Sequence, residues 1–312
     1  MLDRTQDKVF YADVVAGLSL PQKSIPPKYF YDERGSELFD AICDVPEYYP
    51  TRTEAALLAR IAPTLESHLT GFDHVVEYGS GASKKTRIVL DALPALKSYV
   101  PIDVSEEFLL SVAERLAADY PSLAVLPVVG DFTGELTLPG EVASGRKVGF
   151  FPGSTIGNLG PEGGLEFLTK ARALLGADAA FLLGADLVKD EDVLRAAYND
   201  RDGVTARFNL NLLSRINREL GADFDECAFH HHALWNQDES RIEMHLVSDA
   251  TQTVSINGHK FRFLSGETIH TENSYKFTPA RLSALAEAAG WKVNTIWTDK
   301  DFPFAVALFS AS

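Results

Sequence analysis

The segment formed by residues 74–81 contains an apolar run, an acidic residue and a glycine-rich turn, in that order. In a doubly wound sheet such a turn directly follows a strand, where a nucleoside cofactor meets the backbone. A dinucleotide fold would carry a third glycine three residues after Gly81, but Lys84 occupies that position. The pattern therefore favours S-adenosylmethionine (SAM) over a nicotinamide dinucleotide.

Two further strand patterns end in carboxylates. Residues 98–103 have the pattern of a second buried strand, and the fold would place an acceptor for the ribose hydroxyls at its end, which makes Asp103 the ribose candidate. Residues 126–132 have the pattern of a third strand ending in Asp131 and Phe132, a carboxylate and a ring that suit an adenine. An acidic strand end also commonly caps the next helix. Because the three ends follow one another at βα spacing, they predict one nucleoside pocket.

Two other segments carry groups suited to a small polar substrate. The turn at residues 152–159 follows a fourth strand pattern, and its glycines and Asn158 suit a zwitterion, although a plain turn with an asparagine cap explains them equally well. Tyr31, Tyr48 and Tyr49 lie close to prolines in the N-terminal region. Phenols hold a ligand rigidly because they have few rotatable bonds, but core packing is the simpler interpretation.

Two polar segments further along the chain carry side chains that could bind a ligand or a metal ion. Residues 266–274 alternate so that Glu272 and Ser274 lie on one side of a strand, where they could hold both nitrogens of an imidazole. An exposed polar face explains the same pattern. The histidines at residues 230–232 are consecutive, so on a strand they point to opposite faces and cannot converge on one ion. We therefore expect no metal site.

Composition narrows the class of protein. The 312 residues allow two ordinary domains, and 46% hydrophobic with 23% charged residues is typical of a globular chain. A net charge of −15 argues against nucleic acid as a partner. Two cysteines form neither a disulfide framework nor a thiolate metal site, and we find neither a signal peptide nor a membrane-spanning run. We expect a cytoplasmic monomer with no membrane partner.

Short apolar strands alternate with amphipathic helices between about residues 72 and 190, which predicts a parallel α/β sheet with helices on both faces. After about residue 195 the pattern changes to a polar helix and several β segments, and the end of the chain returns to the sheet pattern with an antiparallel hairpin. We expect a Rossmann-like sheet formed by residues 61–195 and 277–312. A second, mixed α+β domain would comprise residues 1–60 and 196–276.

Six segments together resemble the histidine-specific SAM-dependent methyltransferases of ergothioneine biosynthesis, which convert L-histidine to its trimethylated betaine, hercynine. The resemblance covers nearly the whole chain. The segments are residues 28–39, 46–52, 79–86, 153–158, 197–200 and 271–274. The family has a Rossmann-like class I methyltransferase domain and a substrate-binding domain built from the N-terminus and an insertion.

The resemblance implies a role for particular residues. The set that would hold SAM, and release S-adenosyl-L-homocysteine, is Gly79, Lys85, Asp103, Asp131 and Phe132. The set that would bind L-histidine is Tyr31, Tyr48 or Tyr49, Gly153, Asn158, Tyr198, Met244, Glu272 and Ser274. Tyr31 and Tyr48 would act in catalysis next to the α-amine, which they and the Gly153 backbone would surround. Asn158 and Tyr198 would bind the carboxylate, and Glu272, Ser274 and Met244 would contact the imidazole. Glu272 with Met244 is the combination that indicates histidine rather than a tryptophan derivative.

Alternatives remain open at this point. Another aromatic amino acid could be the acceptor. A non-catalytic sensor of SAM or an amino acid would share the pocket and show no turnover. A nicotinamide oxidoreductase is disfavoured by Lys84 at the third glycine position.

Overall fold

The computed structural model describes residues 4–81 and 84–311. The chain forms two compact units, of which the first unit consists of Met1–Tyr49 and Asp190–Ser274 and the second unit consists of Pro50–Lys189 and Tyr275–Ser312. The division expected from the sequence placed its first boundary at residue 60, which falls inside the continuous helix Tyr49–His68. The assignment of one part to the cofactor and the other to the substrate stays a prediction.

Within residues 4–81 and 84–311 the chain forms nine α-helices: α1 (Arg4–Leu18), α2 (Glu33–Asp44), α3 (Tyr49–His68), α4 (Lys84–Ala92), α5 (Glu106–Asp119), α6 (Gly160–Leu175), α7 (Glu191–Tyr198), α8 (Val204–Leu220) and α9 (Pro279–Ala288). The fourteen strands of these described residues are β1 (Lys23–Ser24), β2 (His74–Tyr78), β3 (Ser98–Asp103), β4 (Ala124–Val125), β5 (Val128–Val129), β6 (Lys147–Phe151), β7 (Ala180–Asp186), β8 (Phe229–Asn236), β9 (Arg241–Ser248), β10 (Gln252–Ile256), β11 (His259–Phe263), β12 (Thr268–Tyr275), β13 (Trp291–Thr298) and β14 (Phe304–Ala311). Short 3-10 helices occupy Pro27–Phe30, Gly140–Val142, Thr155–Asn158 and Glu226–Ala228.

The second unit is built on an eight-stranded sheet in the order β13-β14-β7-β6-β2-β3-β4, and β5 also pairs with β3. The strands from β7 to β5 are parallel, whereas β14 runs antiparallel to both β7 and β13. Val75 packs in a core with α3, α4 and α5, while its neighbour Val76 packs in a second core with α6 and α9, because successive strand residues point to opposite faces. The predicted α/β fold class and its closing antiparallel hairpin are confirmed.

The third strand expected over residues 126–132 is not continuous. Two-residue strands, β4 and β5, flank Pro127, which has no backbone N–H to donate to a ladder. The chain continues beyond β5 as a loop, so Asp131 and Phe132 follow a short strand rather than end a long one. The prediction of a full third strand was therefore wrong.

The first unit contains a four-stranded sheet in the order β1-β12-β9-β8 and a separate hairpin formed by β10 and β11. The turn of that hairpin is formed by Asn257 and Gly258, with φ angles of 47° and 92°. Two successive positive φ angles fit the right-handed twist of a two-residue hairpin, as the Asn-Gly pair indicates. Helix α8 buries Phe208, Leu212 and Ile216 and packs on α2 and on the sheet.

The sequence pattern did not predict helix α2, although its first turn explains several residues around Tyr31. The Asp32 carboxylate caps α2 by accepting the Gly35 N–H at 2.7 Å. It also accepts hydrogen bonds from Asn211 at 2.8 Å and Arg218 at 2.6 Å, both on α8. A Cβ on Gly35 would lie 1.7 Å from the Phe30 carbonyl oxygen, so only glycine fits there. Asp32 and Gly35 thereby fix the backbone on both sides of Tyr31.

The chain leaves and re-enters the second unit at neighbouring points, and a backbone bridge and ion pairs hold these two points together. Leu187 and Phe277 form a parallel bridge, and the Val188 N–H donates to the Phe277 carbonyl at 2.9 Å. The buried Asp186 carboxylate forms ion pairs with Lys189 and, at 3.0 Å, with Lys276. Burial of its ammonium lowers the pKa of Lys189 to about 8, although Asp186 opposes the decrease.

Among the residues that the structure describes, no helix combines the length and the apolar character needed to cross a membrane.

Candidate active site

The glycine turn after β2 has a backbone that requires glycine. Gly79 and Gly81 have φ angles of 70° and 45°, in the left-handed region that side chains with a Cβ rarely adopt. The Gly79 N–H donates to the Ile102 carbonyl on β3 at 2.9 Å, and a Cβ on Gly79 would come within 3.6 Å of the Phe132 ring. Ala82 and Ser83, which belong to the same sequence motif, lie outside the described residues. The turn therefore offers a glycine backbone beside an aromatic ring.

Asp103 ends β3 next to this turn. Burial raises the pKa of its carboxyl, while hydrogen bonds from the backbone N–H groups of Ser105, Gly81 and Val104 oppose the increase. The Ser105 N–H lies 3.0 Å from Oδ1. Because the carboxylate is held by backbone groups on both sides, its direction is fixed, and it is tied directly to Gly81. This geometry suits a pair of vicinal hydroxyls.

The Asp131 and Phe132 pair lies in the loop that follows β5. Asp131 Oδ1 accepts hydrogen bonds from the Thr133 N–H at 2.9 Å and the Thr133 hydroxyl at 2.6 Å. Phe132 packs edge-on against Phe151 and Phe167, with ring centroids 5.2 and 5.7 Å apart. The local turn therefore directs Asp131, and the two phenylalanines fix the Phe132 ring in place. Contact of either residue with an adenine stays a prediction.

Lys85, in the first turn of α4, is held by a carboxylate that sequence reasoning missed. Lys85 Nζ lies 2.7 Å from Oε2 of Glu54 on α3, and the same oxygen accepts the Gly153 N–H at 2.8 Å. A signal for Glu54 exists in the sequence, because Glu54, Leu58, Ile61 and Leu65 follow one another at three- and four-residue spacing. This spacing places a carboxylate on the apolar face of α3.

The turn after β6 contains Gly153 and Asn158. Gly153 and Ser154 have φ angles of 82° and 58°, so the chain reverses sharply before the 3-10 helix Thr155–Asn158. The buried Ser154 hydroxyl accepts the Asp186 N–H from β7 at 2.8 Å. A Cβ on Gly157 would lie 2.7 Å from the Tyr275 carbonyl oxygen, so the backbone is closely packed there. Asn158 ends this helix and is only half-buried.

Within the first unit, three of the predicted substrate residues meet in one buried cluster. The Tyr198 hydroxyl, at the end of α7, lies 2.7 Å from the Ser274 hydroxyl on β12. The Tyr48 ring lies 6.2 Å from the Tyr198 ring, edge-on at 73°. We name this group the tyrosine cluster: Tyr48, Tyr198 and Ser274. Burial raises the pKa of Tyr48 well above its usual value, and the neighbouring Tyr198, Glu272 and Tyr31 raise it further.

Tyr49 follows Tyr48 in the sequence. Its side chain is 2% exposed and, like that of Tyr48, packs in the apolar core of the first unit. The effect of Glu272 and Tyr31 on the pKa of Tyr48 places that phenol among the predicted substrate residues. The contact of the Tyr48 ring with the Tyr198 ring favours Tyr48 over Tyr49 for the second tyrosine role, which stays a prediction.

Glu272 and Met244 lie on the neighbouring strands β12 and β9, and both are buried. The single O–H of Thr271 lies within hydrogen-bond distance of two acceptors, the Met244 carbonyl oxygen at 3.0 Å and Asn209 Oδ1 on α8 at 2.8 Å. These contacts hold β12 next to β9 beside both residues. Partly exposed and buried residues alternate along β12 as far as Thr271, but the next residue, Glu272, is buried as well. Two paired strands thus carry the carboxylate of Glu272, the hydroxyl of Ser274 and the thioether of Met244.

The segment at residues 197–200 also has a structural explanation. Asp200 accepts the N–H groups of Val204 and Thr205, both at 2.8 Å, and so caps the start of α8. The side chain of His231, on β8, also contacts this segment, with Nε2 2.8 Å from the Tyr198 carbonyl oxygen. These contacts fix the backbone from which the Tyr198 phenol projects.

One group of possible metal ligands occurs among the described residues, on the sheet of the first unit. Glu243, His245 and His270 each place a donor atom within 4.8 Å of the others. The two imidazole rings stack 4.7 Å apart at 17°, so their lone pairs run side by side rather than converge. Glu243 is already paired with Arg241 at 2.7 Å and with His245 at 3.0 Å. These contacts account for both Glu243 and His245 Nε2, whereas His245 Nδ1 is buried without a hydrogen-bond partner, and the absence of a metal stays a prediction.

Comparison with known proteins connects this geometry to a family. The family model described as histidine-specific methyltransferase, SAM-dependent, matches residues 10–311. Histidine N-alpha-methyltransferase of Mycolicibacterium smegmatis is 45% identical over 302 residues, which cover 95% of this chain and 93% of that protein. Ergothioneine biosynthesis protein 1 of Neurospora crassa is 29% identical over 88% of this chain and 32% of its own length.

Among solved structures, the PH0226 protein of Pyrococcus horikoshii matches with a TM-score of 0.50 and 12% identity, and the match covers 90% of this chain and all of that one. At this identity the likeness concerns the fold alone. The match of the family model over nearly the whole chain, and the close relative at 45% identity, extend the likeness to sequence. The chain belongs to the histidine-specific, SAM-dependent methyltransferases.

Proposed function

We propose that this protein transfers three methyl groups in succession from SAM to the α-amine of L-histidine and so forms hercynine, the first step of ergothioneine biosynthesis. The single observation that carries the choice of histidine is the pair formed by Glu272 and Met244, buried on neighbouring strands beside the tyrosine cluster. A buried carboxylate binds the N–H of an imidazole strongly, because the hydrogen bond is charge-assisted. The relatives named above support the same reaction.

The residues proposed to hold SAM all lie in the second unit and fit such a group. They offer a glycine backbone at Gly79, a fixed carboxylate at Asp103, an ammonium at Lys85 and a ring at Phe132. SAM supplies an activated sulfonium methyl group when it is bound. The remaining work of the chain is to orient the acceptor amine, and orientation alone contributes about 7–11 kcal/mol in favourable cases.

The acceptor amine must be neutral when it is methylated. An α-amine is largely protonated near neutral pH, so a proton must leave before transfer. Because burial raises the pKa of Tyr48 far above neutrality, its phenol keeps its own proton and acts as a neutral hydroxyl. Such a hydroxyl can act as a relay, in which its oxygen accepts the proton of the α-ammonium as its own proton passes to water, so that the phenol is neutral before and after the step; Tyr31 would act in the same way. The chain therefore needs no dedicated strong base.

This mechanism makes a prediction for Tyr31→Phe. We expect kcat to fall severalfold without loss of activity, because the phenol orients the amine and relays its proton but does not act as a strong base. Steady-state kinetics with histidine would measure the change, and calorimetric titration would show whether histidine still binds. Tyr29→Phe is the matched control, since the Tyr29 hydroxyl bonds to Asp13 at 2.6 Å, and it should leave kcat unchanged. Complete loss of activity with intact histidine binding would show that Tyr31 is an essential base.

The proposed function is tested directly by mass spectrometry of the protein incubated with SAM and a panel of amino acids. We expect only histidine to gain three methyl groups. A shift of tryptophan or another amine instead would refute the histidine assignment and leave the methyltransferase fold intact. Binding of SAM without any methylated product would favour a sensor.

A monomeric state, a cytoplasmic location and the exclusion of nucleic acid and membrane as partners stay predictions from the sequence.

A further inference from the structure

Glu54 is a charged residue that the fold keeps out of solvent. Its side chain is 0% exposed, and it shares the inner face of α3 with Leu57, Leu58 and Ile61. A buried carboxylate is costly unless its partners compensate for lost hydration, and an apolar residue of similar size is often less costly for stability. The presence of a carboxylate at this position therefore needs an explanation beyond the packing of α3.

The two oxygens of Glu54 have different surroundings. Oε2 accepts Lys85 Nζ at 2.7 Å and the Gly153 N–H at 2.8 Å. Oε1 is buried without a hydrogen-bond partner and lies against Gly184 in the middle of β7. A Cβ on Gly184 would be 1.8 Å from Oε1, so this strand-interior glycine makes room for the carboxylate. The neighbouring strand is thus adapted to the position of Glu54.

A single oxygen of Glu54 thereby holds two groups with different proposed roles. Lys85 is a proposed ligand of SAM, and Gly153 belongs to the turn proposed to surround the acceptor amine. We propose that Glu54 is a positioning residue that sets the Lys85 ammonium and the Gly153 turn at a fixed distance from each other. This inference rests on the proposed function, because it takes the roles of Lys85 and Gly153 from it.

The chemistry of the contacts explains how the positioning works. An ammonium has three N–H donors, and Glu54 takes one of them, which fixes the direction in which the others point. The Gly153 N–H bond holds the first residue of a sharp turn, in which Gly153 and Ser154 have φ angles of 82° and 58°. Methyl transfer requires donor and acceptor in line, and a misplacement of about 1 Å costs on the order of 100-fold in rate. Loss of the carboxylate should therefore affect the rate more than the binding of histidine.

The test uses Glu54→Gln, which keeps the shape of the side chain and removes its charge. We expect kcat to fall at least tenfold and the Kd of SAM to rise at least threefold, while KM for histidine changes less than threefold. The SAM-binding stoichiometry, measured by calorimetry, should stay at the wild-type value. A purely structural defect would instead lower that stoichiometry and leave the Kd of the folded fraction unchanged. Glu66→Gln, an exposed glutamate on the same helix, is the matched control and should behave as wild type.

A second variant covers the case in which Glu54→Gln does not fold. Glu54→Asp keeps the charge but is one methylene shorter, so it cannot reach Lys85 and Gly153 together, and we expect kcat to fall at least fivefold. Wild-type kcat and SAM affinity in whichever variant folds would overturn the proposal. The wild-type protein is assayed first with histidine. Failure of that assay would refute the proposed function, whereas the SAM titrations test Glu54 without any acceptor.

Discussion

Replacing Glu272 with alanine should lower kcat/KM for histidine by about 10- to 150-fold, the range that corresponds to loss of one hydrogen bond to a charged group. The side chain is 9% exposed, so the lost contact would not be replaced by water at full strength. The substituted site would leave an imidazole N–H of the substrate without its partner, which costs more than the loss of an apolar contact. Steady-state kinetics with histidine and with tryptophan would measure the change.

Two controls separate recognition from general damage. Glu239→Ala removes an exposed glutamate from the turn between β8 and β9 in the same unit and should leave kcat/KM unchanged. The SAM affinity of Glu272→Ala should also stay within twofold of wild type, because the residues proposed to hold SAM all lie in the second unit. Wild-type kcat/KM for histidine in Glu272→Ala would remove Glu272 from the substrate site.

Replacing Glu77 with glutamine should stabilise the protein at alkaline pH. Burial raises the pKa of Glu77 from 4.5 to about 8, although hydrogen bonds from Tyr99 at 2.6 Å and Thr86 at 2.8 Å oppose the increase. Between these two pH values the folded protein binds more protons than the unfolded chain, so the free energy of unfolding falls as pH rises. Below about pH 4.5 both states are protonated, and above about pH 8 the loss is complete.

The size of the effect follows from the shift in pKa. A shift of one pKa unit corresponds to about 1.4 kcal/mol. The ionisation of Glu77 should therefore lower the free energy of unfolding by on the order of 3–5 kcal/mol between pH 5 and pH 9. Glutamine cannot ionise and keeps an acceptor for Tyr99 and Thr86. The melting temperature of Glu77→Gln relative to wild type should therefore rise by on the order of 5–10 °C between these pH values. Scanning calorimetry at pH 5, 7 and 9 would measure it, with Glu66→Gln as the control. Parallel pH profiles for wild type and Glu77→Gln would show that Glu77 is already ionised in the folded protein.

The parallel sheet could be predicted because its strands are buried on both faces and therefore appear as nearly continuous apolar runs. β3 has the bounds that the sequence pattern indicated, and Asp103 ends its strand as expected. The apolar run at residues 126–132 predicted one continuous strand, but Pro127 interrupts it because proline has no backbone N–H to donate to the ladder. The N-terminal helices escaped prediction because the tyrosines and prolines of that region hid the caps, of which Asp32 is one.

The candidate site was only partly predictable from the residues themselves. Met244 and Glu272 are 28 positions apart, and no periodicity connects them, because only the pairing of β9 with β12 brings their strands together. Their assignment came from the resemblance to a family. Glu54 was missed because a single acidic residue on a helix is usually solvated, and its partners Lys85 and Gly153 are distant in sequence.

The contacts between the two points where the chain leaves and re-enters the second unit bear on how much the segment between them can change. The bridge between Leu187 and Phe277, together with the ion pairs of Asp186, closes the ends of the intervening segment within the second unit itself. The entropy of closing that loop is therefore met by contacts that do not depend on the sequence between them. Changes of length within residues 190–274 should accordingly have little effect on the closure of this loop, because its ends are held within the second unit.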